Sequence, residues 1–296
     1  MMLSDDQLEE LKDVAILAAQ TTNDYIYSKL GQVKNVGRKE AGDSLASQVV
    51  TEIDIESQNI ILAHLKASIE LYDLGLLTEE LEDDGSRLDK NYFWCIDPLD
   101  GTLPFSEGRT GYAVSIALVH RSGHAVIGVV AIPDTGELYY AISGQGLFLN
   151  GKSLKINTNK ASKLHVYLDH SFVVMPYYDA VIDALKSVQD DPLKLIIGQG
   201  SVVNAIRVLN EPNACYFKFP KVEIGGGSIW DFAATSCIFN EAGLNATDIQ
   251  GNPLMLNDPK STFFNRWGAI YARNKKIHSD IISIGNKFQS EYESLK

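Results

Sequence analysis

Cysteine is scarce in this chain of 296 residues: Cys95, Cys215 and Cys237 lie far apart, with no C-x-x-C pair. That spacing supports neither a zinc ribbon nor a disulfide scaffold and suits buried thiols in a reducing compartment. Positive charge is short as well. Lys and Arg number 26 against 38 Asp and Glu, a net charge of −12, which argues against a nucleic-acid surface because such surfaces need a basic face. No apolar run approaches the ~18 residues of a membrane span. The opening Met1-Met2-Leu3-Ser4-Asp5-Asp6 lacks the basic and apolar segments of a signal peptide. No serine stands in a G-x-S-x-G elbow and no cysteine sits near a plausible base, so covalent catalysis has little support. Internal repeats, low-complexity segments and flexible linkers are missing too. With 45% hydrophobic and 22% charged residues, the expectation is a globular cytoplasmic protein with neither a polymeric nucleic acid nor a membrane as partner.

The most informative stretch is Trp94-Cys95-Ile96-Asp97-Pro98-Leu99-Asp100-Gly101-Thr102. An apolar strand-like run over residues 92–96 ends in two aspartates three residues apart. Carboxylates at a strand end suit hard divalent cations, which favour oxygen ligands. Pro98 stiffens the turn, Gly101 permits close approach to an anion, and Thr102 adds a hydroxyl. The same residues also suit a plain acidic turn that caps a helix. Two further segments favour a metal–phosphate site. Leu76-Leu77-Thr78-Glu79-Glu80 is another apolar run ending in acids, and Gly225-Gly226-Gly227-Ser228-Ile229-Trp230-Asp231 opens a helix with an aspartate in its first turn. Asp54 and Asp231 also suit helix N-caps or first-turn positions.

These motifs, with Val50-Thr51-Glu52-Ile53-Asp54 before them and Phe232-Ala233-Ala234 leading to Glu241-Ala242-Gly243 after them, resemble the lithium-sensitive, magnesium-dependent phosphomonoesterases. That superfamily includes inositol monophosphatases, 3'(2'),5'-bisphosphate nucleotidases and, more distantly, fructose-1,6-bisphosphatases. The resemblance covers nearly the whole chain in the same order. It implies hydrolysis of a small phosphorylated metabolite by a metal-activated water, most simply an inositol phosphate, with two or three Mg2+ ions. Two cations about 4 Å apart can stabilise both the attacking and the leaving oxygens. By the resemblance, Glu79, Asp97 and the Leu99 carbonyl hold a first ion. Asp97, Asp100 and Asp231 hold a second, and a weaker third involves Glu79. Glu79 and Thr102 would act on the water, with Asp54 orienting Thr102 or that water. The Gly101 and Thr102 amides would hold the phosphate, and Asp100, Asp231 and Glu223 would contact the substrate. A homodimer is implied by the same resemblance. Three departures stand out: Thr78 where the family has glycine before the acid pair, Pro104 where most inositol monophosphatases have asparagine, and Glu223 one residue further from Asp231 than the family's sugar-binding glutamate. A bisphosphate nucleotidase is the alternative, with Lys34, Arg38 and Lys39 available for a second phosphate. A catalytically silent relative that binds a metabolite is a reading of another class.

Periodicity sets the expected fold. Ser4 or Asp5 can cap a helix to about Leu30, with Gly31 as its stop. Residues 31–48 read as a polar loop or open hairpin, and a second helix starts near Asp54. Strand patterns at residues 112–120, 125–132, 138–142 and 147–149, joined by short turns, imply an antiparallel sheet. Beyond residue 160, strands near 164–168, 193–197 and 269–272 alternate with helices near 178–188, 202–209, 229–242 and from Lys275. The fold class is α+β or α/β, with an antiparallel sheet in the N-terminal half and a mixed sheet with helices in the C-terminal half. The boundary falls near residue 155: 1–155 carries most metal-binding motifs and 156–296 contributes the late aspartate. The layered αβαβα architecture of the resembled family agrees.

Two competing signals fail. Gly146-Leu147-Phe148-Leu149-Asn150-Gly151-Lys152-Ser153 matches the P-loop pattern, but its interior reads as a strand and Asn150-Gly151 as a hairpin turn. His120 and His124 have helical metal-ligand spacing, yet they flank a Ser122-Gly123 turn and read as hairpin ends rather than a zinc pair. Tyr139, Tyr140, Phe217 and Phe219 read as strand residues rather than stacking platforms.

Overall fold

The computed structural model describes residues 2–31, 36–38, 49–156, 163–189 and 192–294. Ser4 opens helix α1 (Asp5–Ser28) through a capping box with Gln7. Strands β1 (Val36–Arg38) and β2 (Val49–Thr51) pair antiparallel, and the rest of the expected loop or hairpin, residues 32–35 and 39–48, lies outside the described residues. Lys34 and Lys39 lie outside the described residues. Thr51 then caps α2 (Glu52–Tyr72), with Asp54 completing the capping box.

The first sheet holds seven strands in the order β3 (Gly75–Thr78), β4 (Tyr92–Asp100), β5 (Ala113–His120), β6 (His124–Ile132), β7 (Glu137–Ile142), β8 (Gly146–Leu149) and β9 (Lys152–Ser153). All neighbours are antiparallel except β3 and β4. Short helices α3 (Ser86–Asp89) and α4 (Thr102–Ser106) flank β4. Asn150 and Gly151 both have positive φ between β8 and β9, the backbone of a tight hairpin, so the P-loop pattern is a turn. His120 pairs with His124 across the β5–β6 hairpin.

The second half supplies β10 (Leu164–Leu168), α5 (His170–Val173), α6 (Tyr178–Val188), β11 (Leu193–Ile197), α7 (Ser201–Asn210), β12 (Ala214–Lys218), α8 (Ile229–Glu241), β13 (Asn245–Thr247), β14 (Ala269–Ala272) and α9 (Lys275–Ser294). Its five strands form a mixed sheet in the order β11-β10-β12-β14-β13. Strand alternation then builds the layers. In β4, Trp94 and Ile96 enter a core shared with α1 and α2, whereas Phe93 and Cys95 enter one shared with α7 and α8. In β12, Tyr216 joins that central core, whereas Cys215 and Phe217 pack on α6 and α9. The result is five layers, αβαβα, with α7 and α8 between the sheets. Among the described residues no helix is long and apolar enough to cross a membrane.

The structure adds to the sequence reading chiefly in its strands. β4 does not stop at Ile96. It continues to Asp100 through a register shift between Asp97 and Asp100, where Pro98 has no N–H to give the ladder. Strand β13, three residues long, is an addition, and β12 extends the strand reading of Phe217 back to Ala214 in a short aromatic run that alternates between two apolar faces. The first sheet ends at Ser153 and the second begins at Leu164, with α8 packed on the first sheet through the shared core.

Candidate metal centre

Strand pairing places the first acid. Thr78 lies opposite Ile96 in the parallel β3–β4 pair, and the Glu79 amide extends that ladder to the Ile96 carbonyl at 3.2 Å. Glu79 therefore emerges beside Asp97. Gln58 of α2 fixes the strand end, its Oε1 accepting from Thr78 Oγ1 at 2.6 Å and the Glu80 amide at 3.1 Å. Of the two glutamates, Glu79 lines the cavity and Glu80 does not.

The bulge in β4 turns Asp97 and Asp100 toward the second sheet. Asp97 Oδ1 accepts from the Leu99 amide at 3.1 Å. Asp100 spans the gap: its Oδ1 accepts from Ser201 N at 3.0 Å and its Oδ2 from Val202 N at 2.8 Å, in the first turn of α7. Gly200 makes this approach possible, since a Cβ there would lie 2.2 Å from Asp100 Oδ2. Gly101 follows with a φ of +86° and caps α4, a conformation that suits glycine.

Asp231 is the third residue of α8, where its Oδ2 accepts from the Ser228 amide at 2.9 Å. Asp54 holds the same place in α2, with Oδ2 accepting from Thr51 N at 2.8 Å and Thr51 Oγ1 at 2.6 Å. Both acids are thus cap residues, as the sequence allowed. Capping leaves each an oxygen for other work. Asp54 Oδ1 takes the Thr102 hydroxyl at 2.7 Å, and that hydroxyl also lies 3.1 Å from the Leu99 carbonyl. A hydroxyl has one proton, so donation to Asp54 leaves the Leu99 carbonyl lone pairs available.

Asp97, Asp100 and Asp231 each present an oxygen within 4.8 Å of the others. Burial, reinforced by the neighbouring carboxylates, raises the pKa of Asp97 and Asp100 well above the ordinary range. Burial pushes Asp231 up to about 6, with Lys218 opposing and Glu79 adding to the rise. Asp54 is likewise pushed up to about 6 by burial, against its bonds from Thr51 and Thr102. Buried like charges at this spacing call for a compensating cation. The donors are all oxygen, which fits a hard divalent ion such as Mg2+.

These groups line a cavity of about 630 Å3 between the two sheets. Glu79, Asp97, Leu99, Asp100, Gly101, Thr102 and Asp231 line it together, and Asp54 stands behind Thr102 with no exposure. Glu223 is exposed and is not among the lining residues. The same cavity carries residues of the second sheet that motif reading passed over, chiefly Asp169 and Lys218. Asp169 had a visible signal: it ends the apolar run of β10, as Glu79 and Asp97 end theirs.

Residues 7–287 match the inositol monophosphatase family. The chain is 29% identical over 271 residues to the fructose-1,6-bisphosphatase/inositol-1-monophosphatase of Thermotoga maritima, covering 87% of this chain and 91% of that one. The solved structure of a Thermotoga maritima IMPase superposes with a TM-score of 0.74 at 24% identity, covering 94% of this chain and 98% of that one. An IMPase/NADP phosphatase complexed with Mg2+ and phosphate gives a TM-score of 0.72 at 19% identity, covering 94% and 95%.

Proposed function

The chain belongs to the inositol monophosphatase family, and we propose that it hydrolyses a small phosphate monoester of the inositol-phosphate type with the help of bound Mg2+. The convergence of Asp97, Asp100 and Asp231 on one point of the cavity, with Glu79 on its wall, carries this reading. Asp97, Asp100, Asp231, Glu79 and the Leu99 carbonyl would hold two or three ions. Bound there, the cations would offset the carboxylate charge and supply Lewis-acid stabilisation to the ester.

The chain's own groups divide the remaining work. Asp54, ionised and fixed by Thr51, keeps the Thr102 hydroxyl proton turned away from the cavity. The Thr102 oxygen then offers a lone pair to an attacking water, and Glu79 offers a second acceptor for its proton. The Gly101 and Thr102 amides would hold a phosphate oxygen, and the α7 amides keep Asp100 from swinging away. Relatives act under names that span inositol monophosphate, fructose 1,6-bisphosphate and NADP, so family membership alone leaves the alcohol open. Three buried free thiols support a cytoplasmic location, and a homodimer is proposed by the family resemblance.

The test is Mg2+-dependent phosphate release from inositol 1-phosphate, adenosine 3',5'-bisphosphate and fructose 1,6-bisphosphate, with and without chelator. Release that stops on chelation is expected. Tight binding of these esters with no turnover of any of them would instead favour a catalytically silent relative.

A further inference from the structure

Helix α2 carries two polar side chains on a buried stripe that packing alone would keep apolar. Asp54, Gln58, Ile61 and Leu65 follow one another at helical spacing on one face, and all four are buried, Gln58 at 3% exposure. The apolar pair enters the core shared with α1. The polar pair supports the metal centre from behind, each residue at a different strand end. Asp54 takes the Thr102 hydroxyl at 2.7 Å, just past the end of β4. One turn along, Gln58 Oε1 takes the Thr78 hydroxyl at 2.6 Å and the Glu80 amide at 3.1 Å, at the end of β3. Thr78 faces α2 because β3 alternates: Leu76 packs on the core shared with α1 and α2, whereas Leu77 enters the central one.

The donors fix the orientation of the Gln58 amide. A backbone N–H can only donate, so the atom facing Glu80 is the oxygen, and Thr78 must then donate to it as well. The two bonds bracket Glu79: the residue before it and the residue after it are tied to α2, and its own amide is tied to the Ile96 carbonyl. Glu79 is left on the cavity wall. A glycine or an apolar residue at position 78 would forfeit the shorter bond. Glu79 and Thr102 are the two groups that the hydrolysis above assigns to the attacking water, and they belong to different elements. Helix α2 is bonded to the supports of both. A water shared by two acceptors tolerates little change in their spacing, since misplacement by about 1 Å can cost on the order of 10²-fold in rate.

We propose that Gln58 is a positioning residue: through Thr78 and the Glu80 amide it holds Glu79 at the distance from Thr102 that a shared water and a bound cation require. A role confined to sealing the end of β3 would leave metal affinity and turnover untouched. The proposal rests on the phosphatase reading above and adds to it a residue that does not line the cavity.

The experiment first measures Mn2+ affinity without substrate, by electron paramagnetic resonance of the free ion. It then measures kcat and KM at saturating Mg2+ on whichever of inositol 1-phosphate, adenosine 3',5'-bisphosphate and fructose 1,6-bisphosphate is turned over fastest. Gln58→Met keeps the length of the side chain and loses the acceptor. It should weaken Mn2+ binding by about fivefold or more and lower kcat by about tenfold, with KM within about twofold of wild type. Thr78→Val loses one bond and keeps the shape, so it should shift both quantities the same way by a smaller factor, and it carries the test if Gln58→Met does not fold. Thr78→Ser, which keeps the hydroxyl, should recover most of the Thr78→Val loss. In a Glu79→Gln background, Gln58→Met should change Mn2+ affinity by less than about twofold, because the group it positions is already gone. Wild-type affinity and kcat in the folded variants, or an equal loss in the Glu79→Gln background, overturns the proposal. Absence of Mg2+-dependent release from all three esters by the wild-type protein overturns the phosphatase reading itself, a distinct outcome.

Discussion

The two walls of the cavity differ in how they are built. The acidic wall comes mostly from neighbouring strand ends of one sheet, where Glu79, Asp97 and Asp100 follow short apolar runs. The cationic wall comes from the second sheet, where Asp169 and Lys218 end β10 and β12, neighbours in space but 49 residues apart in the chain. Charge on the first wall is unbalanced and asks for a cation. Charge on the second is paired within the protein. The first wall is suited to holding a cation, and it can be broken without touching the second.

The largest effect is expected at the acidic wall. Asp97→Asn should lower kcat/KM by on the order of 10³-fold or more, since it removes one of the three converging carboxylates. Steady-state kinetics at saturating Mg2+ checks this, and a loss under tenfold would place the chemistry elsewhere. Gly200→Ala acts on the same wall without touching a charge. A Cβ 2.2 Å from Asp100 Oδ2 must push the carboxylate aside, and misplacement of about 1 Å can cost on the order of 10²-fold in rate. Wild-type turnover in Gly200→Ala would show that the position of Asp100 is not critical.

A smaller effect separates the walls by pH. Asp54 and Asp231 are pushed up to about 6, and Asp97 and Asp100 are raised as well. Carboxyls raised on folding stabilise the protein while protonated. That contribution is whole below about pH 4, the unfolded value, and is lost as pH rises through about 6. Mg2+ should therefore add little to the melting temperature near pH 4 and about 5–10 °C at pH 7.5, for an ion well above its Kd. A Mg2+ increment that is the same at both pH values would contradict this. The smallest effect belongs to Glu223→Gln, which should stay within about twofold of wild type on every ester because the side chain is exposed and off the cavity. A tenfold rise in KM would mean that this segment folds over the bound substrate.

The same contrast explains what could be read from sequence. Asp97, Asp100, Gly101 and Thr102 are contiguous, so one local pattern reports them, and Asp231 follows a glycine run that marks a helix start. The antiparallel first sheet was legible for a related reason: its strands are joined by short turns with recognisable residues. Lys218 was hidden because its neighbours Tyr216, Phe217 and Phe219 alternate between two apolar faces, and no local pattern says which sheet end meets which. Glu223 drew attention by its distance from Asp231 along the chain, but the intervening glycines let the segment turn outward. The cap positions of Asp54 and Asp231 looked like rivals to a site role, yet a carboxylate has two oxygens and in each case one is left after capping.

The most direct measurement is a crystal soaked in Mn2+ and examined by anomalous scattering. Peaks within about 2.0–2.4 Å of carboxylate oxygens of Asp97, Asp100 and Asp231 are expected, with at least one shared through Asp97. Well-ordered Mn2+ bound elsewhere, with those three side chains turned apart, would contradict the assignment of this cluster as the metal centre.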